Sequence, residues 1–243
     1  MTAQEARKEQ WNKLKDKPLT HKLKYIFTYY WAAILGGVCV LAFLVSWIGG
    51  AIFRKDTALS GYLLNGFTNP TYAGDFRQEF LEHLQLDSKD YECIFTSDIY
   101  YSSDEFSDTG VHVLEAITVQ ATTGNLDFIV TELESYNIFS AYLADMRTKL
   151  SAEQMEKWSD LFVYVETAAL EELKSGEMEI VTLPEYHLTS DGLQNPFPIG
   201  IRLPDSCRLF DAYNYGGEHI IFGFFTNGAN SENAIAFLEY IMQ

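Results

Sequence analysis

The densest collection of groups able to do chemistry is the run SDIYYSSDEFSDTG at residues 97–110, which gathers Asp98, Asp104, Glu105 and Asp108 among serine hydroxyls. Oxygen ligands in that number suit a hard cation such as Ca²⁺, but their order is not that of an EF-hand loop, and a solvated acidic loop has the same composition. The five histidines, His21, His83, His112, His187 and His219, stand apart, and no CxxC or HxxxH occurs. No metal site is therefore expected. No GxSxG, Walker A or GxGxxG motif is present, and no cofactor is expected. Glu132 and Glu134 could serve as the two carboxylates of an extracellular hydrolase. A body this rich in acids offers such pairs by chance, and no nucleophile has a base near it in sequence, so no catalytic residue is assigned.

Cys39 lies in a long apolar run and reads as a small apolar residue. Cys93 and Cys207 fall in the body, where a disulfide is chemically allowed. Both stand beside apolar text, which suits two buried free thiols equally.

The elements that must position such groups follow from periodicity. LSGYLLNGF reads as a buried strand ending in a turn-prone Asn-Gly, and AGDFRQEFLEHLQL as an amphipathic helix. DYECIFTSD is a second strand, TGVHVLEAITVQATTG a helix closed by Gly124, and LDFIVTE a third strand. SYNIFSAYLADM is a short amphipathic segment. SAEQMEKWSD carries a capping box, with Ser151 as N-cap and Gln154 at N3. LFVYVE and EMEIVTLPEYH read as strands, PFPIGIRLPD as a strand bounded by prolines, and SCRLFDAYNY as a short helix. EHIIFGFFTNG is an apolar strand, and NSENAIAFLEYIMQ a closing helix capped by Asn230 or Ser231. Strands alternating with helices predict an α/β domain with a mostly parallel sheet covered by helices on both faces.

Charge divides the chain. Residues 1–24 carry seven Lys/Arg against three acids, and Arg54 and Lys55 add two positive charges. With the whole chain at −17, the part from Asp56 onward carries −23. Such a body repels phosphate and excludes a nucleic-acid partner. Between head and body, no charged residue occurs from Tyr25 through Phe53. As a helix, Tyr30–Phe53 would span roughly 36 Å, enough for a bilayer core of about 30 Å. Tyr29, Tyr30 and Trp31 at one end and Trp47 and Phe53 near the other suit the two interfaces. The run is longer than that of a cleaved signal peptide, so an uncleaved anchor is expected. The basic excess before it places the head in the cytoplasm and the body outside. In the head, Trp11, Leu14, Leu19, Leu23 and Ile26 alternate with lysines. This suits a segment lying on an anionic leaflet or a basic tail that only sets topology. The expected organisation is a basic juxtamembrane segment 1–28, an anchor 29–53, a linker 54–58 and an extracytoplasmic domain 59–243.

The stretch ATTGNLDFIVTELESYNIFSAYLADMRTKL resembles the G-x-x-D-hydrophobic-hydrophobic segment of extracellular solute-binding proteins of ABC transporters. HIIFGFFTNGANSENAIAFLEYIMQ resembles their closing strand, Asn-containing turn and helix, and FPIGIRLPDSCRLFDAY the strand between. With its basic head and anchor, the chain looks like membrane-anchored proteins of this kind in Gram-positive bacteria. The resemblance implies a periplasmic-binding-protein-like fold. The body has fewer residues than two complete lobes need, which implies one lobe and a reduced second. Cys39, in LGGVCV, does not fit a lipobox, so lipidation is not implied.

Two functions follow as expectations. In the first, the body binds a small molecule or peptide at the C-terminal ends of its strands, as open α/β sheets do. The polar and aromatic residues closing the apolar strands are the candidate ligands: Asn65, Asn69, Ser97, Tyr100, Thr131, Glu132, Tyr136 and Asn227. In the second, the body is a non-catalytic interaction or scaffold subunit of an envelope complex, with Gly36, Gly37, Gly49 and Gly50 packing against another membrane helix.

Overall fold

The structure is a computed structural model that describes residues 18–52, 54–102, 108–175 and 183–243. Its contacts form two units, Met1–Arg54 and Lys55–Gln243.

In the first unit, helix α1 runs over 34 residues, Leu19–Ile52. Trp31, Val38, Val40, Leu41, Phe43 and Val45 are all more than half exposed. At 100° per residue these positions circle the axis, and a helix that is apolar all round needs lipid or a protein interior about it. Among the described residues no helix is long and apolar enough to cross a membrane. The apolar run of the sequence continues into 47–53, whose side chains are outside the description, as are Gly49, Gly50 and the basic head at 1–17. A Cβ at Gly36 or Gly37 would meet nothing within 4 Å.

The second unit begins with β1 (Asp56–Leu63), so the expected linker shrinks to Arg54-Lys55. There follow β2 (Gly66–Thr68), α2 (Phe76–His83), β3 (Tyr91–Thr96), α3 (Asp108–Thr122) and β4 (Phe128–Glu132). Next come α4 (Leu133–Tyr136), which runs into a 3-10 turn (Asn137–Tyr142), α5 (Met146–Lys149) and α6 (Ala152–Lys157). β5 (Phe162–Glu166), α7 (Thr167–Ser175), β6 (Pro196–Arg202), α8 (Leu209–Ala212), β7 (Tyr213–Tyr215), β8 (Ile220–Phe224) and α9 (Ser231–Ile241) complete the chain. Residues 176–182, which include the start of the strand expected at 177–187, lie outside the description. Beyond them, His187 makes an isolated antiparallel bridge to Tyr164.

The main sheet has six strands in the order β3-β1-β4-β8-β6-β5. β1 pairs in parallel with β3 and β4, whereas the β4–β8, β8–β6 and β6–β5 pairs are antiparallel. Four strands therefore point one way, and β8 and β5 the other. The sheet is mixed, and its parallel pairs are confined to the β3-β1-β4 half. Side-chain alternation decides the two faces. On β4, Phe128 and Val130 join one core with Phe76 and Phe80 of α2 and Phe237, Leu238 and Ile241 of α9. Ile129 joins the other core, with Ile117 of α3, Tyr136 of α4 and Leu170 of α7. Helices thus cover both faces, as expected. Phe128 stacks on Phe222 at 5.3 Å, and Phe237 packs 4.8 Å from Phe128. Each such buried ring contributes about 1.5–3 kcal/mol.

Local signals hold at several ends. The capping box of α6 is formed in both directions between Ser151 and Gln154. Gly124, at φ +76°, closes α3 in a left-handed conformation that glycine adopts without a Cβ clash. SCRLFDAYNY departs from its expected short helix: α8 is one turn, and YNY is a strand. That strand, β7, pairs antiparallel with β2 to form a separate two-stranded sheet.

Candidate functional site

In this topology the connection after β1 leads to β3 on one side, and the connection after β3 returns to β4 on the other. The switch point, where open α/β sheets place their ligand crevice, lies beyond the ends of β1 and β4. Asn65 fills it. The residue is buried, with backbone φ 60°. Its Nδ2 donates to the Tyr101 carbonyl at 2.8 Å, and its Oδ1 accepts from the Tyr101 amide at 2.7 Å. Nδ2 also lies 3.3 Å from Glu132 Oε2 and 3.4 Å from Ser135 Oγ. The structure brings Asn65 and Glu132 together, with both polar atoms of Asn65 engaged by the protein.

The other expected ligands scatter. Tyr136 is fully buried under the sheet, and its hydroxyl donates to the Ile199 carbonyl at 2.9 Å. Thr131 is also buried; among the described residues its Oγ1 has no hydrogen-bond partner, and it lines neither cleft described below. Tyr100 is exposed. Asn69 donates to the Asp211 carbonyl at 2.8 Å and accepts from the Thr71 amide and hydroxyl, which shapes the 69–72 loop. Asn227 lies at the opposite end of the sheet, because β8 is antiparallel to β4 and Phe224 sits opposite Phe128. There its amide reaches the Thr122 carbonyl at 3.3 Å. Nearby, the buried Asp127 accepts from the Ser60 amide at 2.8 Å and from the Asn230 amide at 2.7 Å. The aspartate of GNLDFIVTE thus ties the start of α9 to β1 and does not face a crevice.

Cys93 and Cys207 are free thiols, so the disulfide alternative is not realised. Cys93 points into the core from edge strand β3, whereas Cys207 follows β6, four places along the sheet. Burial pushes both thiols up to about 12.

Of the expected ligands, Ser97 lines an open cleft. This cleft, of about 420 Å³, lies where β2 and β7 meet the end of β3 and the start of α2. Phe76, Phe95 and Ala212 form its apolar part; Thr68, Asp75, Arg77, Ser97, Asp98 and Tyr213 bring polar groups. Thr68 sits opposite Tyr213 across the β2–β7 pair, so their side chains share one face. Asp98 accepts from the Thr68 amide at 2.9 Å, the Thr68 hydroxyl at 2.7 Å and the Ser97 hydroxyl at 2.7 Å. The bonds from Ser97 and Thr68 hold its carboxyl below the usual range, so it is ionised at neutral pH. Asp75 caps α2 and takes the Arg77 Nε at 3.4 Å, which occupies that cation locally. Tyr213 is buried to 7% exposure and lines the cleft. Burial pushes its hydroxyl above the ordinary tyrosine value. Sequence reasoning placed Asp98 in a solvated acidic loop and missed Thr68 and Tyr213, because nothing local tells that GFT and YNY pair.

A second cleft, of about 590 Å³, opens at the same edge of the main sheet, between Arg202 and Asp205 after β6 and Glu218 and His219 before β8. None of the expected ligands lines it. Among the described residues no group of three or more His, Cys, Asp or Glu could hold a metal ion. Compared with family models, with curated proteins and with solved structures, the chain matches none of them.

Proposed function

We propose that this chain is a single-pass, membrane-anchored α/β module whose body captures a small molecule or a peptide side chain outside the cell. The observation that carries the reading is the cleft between Ser97, Asp98 and Tyr213, at the edge of the sheet where open α/β folds bind ligands. Asn65 closes the switch point itself, which moves the binding position to the flank between β3 and the β2–β7 pair. In this reading the fold is solute-binding-like with one lobe, and the two-stranded sheet takes the place of the reduced second lobe. The anchor rests on the charge-free run Tyr25–Phe53 and on the apolar circumference of α1. The seven basic residues before it favour an inside head and an outside body.

The test is a thermal-shift screen of the full chain in detergent micelles against amines, amino acids, sugars, nucleosides and short peptides. A ligand at a hundred times its Kd adds about 2.7 kcal/mol. For a body of this size that raises Tm by roughly 5–10 °C. A flat response to every class would remove the reading.

The scaffold reading has its own support: residues 55–243 form one compact unit with no second lobe set off across a hinge among the described residues. It expects a membrane partner to co-purify with the full chain in fixed stoichiometry after mild detergent extraction. A chain that purifies alone would count against it.

A further inference from the structure

Asp98 is an ionised carboxylate at the exposed rim of the cleft. Three donors hold it, all from Thr68 and Ser97, and among the described residues no Lys, Arg or His pairs with it. A carboxylate offers about four lone-pair directions, so one remains. Across the β2–β7 pair from Thr68 stands Tyr213, nine-tenths buried and part of the same cleft lining. The nearest cation of the cleft, Arg77, is engaged by Asp75. The cleft therefore carries one uncompensated negative charge, the Tyr213 phenol in the same lining, and an apolar wall of Phe76, Phe95 and Ala212.

From this geometry we infer that the cleft takes a primary ammonium group on an alkyl stem, with the ammonium between Asp98 and Tyr213 and the stem along Phe76 and Phe95. The inference rests on the ligand-binding reading above and names its ligand class. An ammonium has three donors and no acceptor; one carboxylate lone pair and one phenolic oxygen take two of them, and the third faces the open mouth of the cleft. An anion is disfavoured by Asp98 and by a body at −23, whose field concentrates cations at its surface. Calcium needs six to eight oxygens, more than the cleft supplies. A free alkylamine and the lysine side chain of a peptide share this chemistry.

Isothermal titration of the full chain in detergent micelles decides it. The probes are n-pentylamine, Nα-acetyl-lysine methylamide, a lysine-containing tripeptide, and the controls n-pentanol, choline and CaCl₂. Saturable binding of the ammonium probes, with the controls silent, is the expected result. Asp98→Asn should weaken it at least about tenfold, the loss of one charge-assisted hydrogen bond. Tyr213→Phe, which keeps the ring in place, should weaken it several-fold. Tighter binding of pentylamine than of the lysine probes identifies a free amine as the source, and the reverse a peptide. Ammonium binding that Asp98→Asn and Tyr213→Phe both leave unchanged overturns the site. Silence from every ammonium probe, while another class shifts Tm, overturns the ligand class but leaves the binding reading standing. Silence from all classes removes both.

Discussion

Asn65 and Tyr101 hold each other by two hydrogen bonds, the Tyr101 amide on Asn65 Oδ1 at 2.7 Å and Asn65 Nδ2 on the Tyr101 carbonyl at 2.8 Å. The amide side chain acts as one more peptide unit, pinning the loop after β3 over the end of β1. It does so from a left-handed backbone that asparagine tolerates better than other side-chain-bearing residues. Asn65→Ala should cost about 2–4 kcal/mol, from two unpaired peptide groups and the left-handed strain. Asn65→Gly keeps the backbone relaxed and should cost about 1 kcal/mol less. Urea unfolding of the full chain in micelles measures both, and equal stability of the two variants would contradict the left-handed assignment.

Tyr136 explains why β6 and β8 carry glycines at facing positions. A Cβ at Gly223 would overlap the Tyr136 hydroxyl, and one at Gly200 would lie 2.7 Å from it. Gly223→Ala should therefore destabilise by about 2–3 kcal/mol through overpacking. Tyr136→Phe alone should cost about 1–2 kcal/mol, since it leaves the Ile199 carbonyl unpaired. In the double variant the two costs should not add, with a coupling of at least about 0.5 kcal/mol. Strict additivity in the thermodynamic cycle would mean that the hydroxyl does not sit where Gly223 leaves room.

Asp127 joins β1, β4 and α9 through the Ser60 amide, the Asn230 amide and the Asn230 side chain at 3.2 Å. Asp127→Ala should lose about 3–5 kcal/mol, because buried amides are left facing a removed charge. The expected signature is local: hydrogen exchange at the Ser60 and Asn230 amides should accelerate before that of the Phe128–Val130 core. Uniform acceleration across the sheet would point to a packing defect instead.

The thiols of Cys93 and Cys207 should be silent to a disulfide-exchange reagent at pH 8 in the folded chain and react once the chain is denatured. Burial raises both to about 12. The sign follows from linkage: the neutral thiol is favoured in the fold. That contribution is whole below the ordinary value near 8.5 and is lost as pH rises towards about 12. The chain should lose stability with alkali over that window, and Cys93→Ala should lose less of it. Prompt labelling of folded Cys93 at pH 8 would show that its side of the core opens.

Much of the body was legible because its signals are local. Ser151 and Gln154 announce their capping box three residues apart, and Gly124 ends its helix from within one turn. Phe76, Phe80 and Leu81 mark a helical stripe without knowledge of its partner. The short strands were less accessible. Gly66–Thr68 has three residues and no alternation long enough to measure, and its partner lies about 150 residues away, so YNY read as helix. Strand direction was equally hidden, because a buried strand is apolar whichever way it runs.

The sequence by itself determined the polarity of the molecule: a basic head, an uncharged helix-length run and an acidic body, since charge and hydropathy are sums over neighbours in the chain. It also determined where the main strands and helices lie and that helices cover both faces of a sheet. Tertiary structure alone decided which polar groups stay free. Asn65 and Tyr136 looked available at strand ends, yet the Tyr101 loop and the Ile199 carbonyl of β6 take their hydrogen bonds. The antiparallel course of β8 sends Asn227 to the far edge. Pairing of β2 with β7 brings Tyr213 into the same cleft as Asp98, more than a hundred residues earlier in the chain, a relation no local pattern encodes.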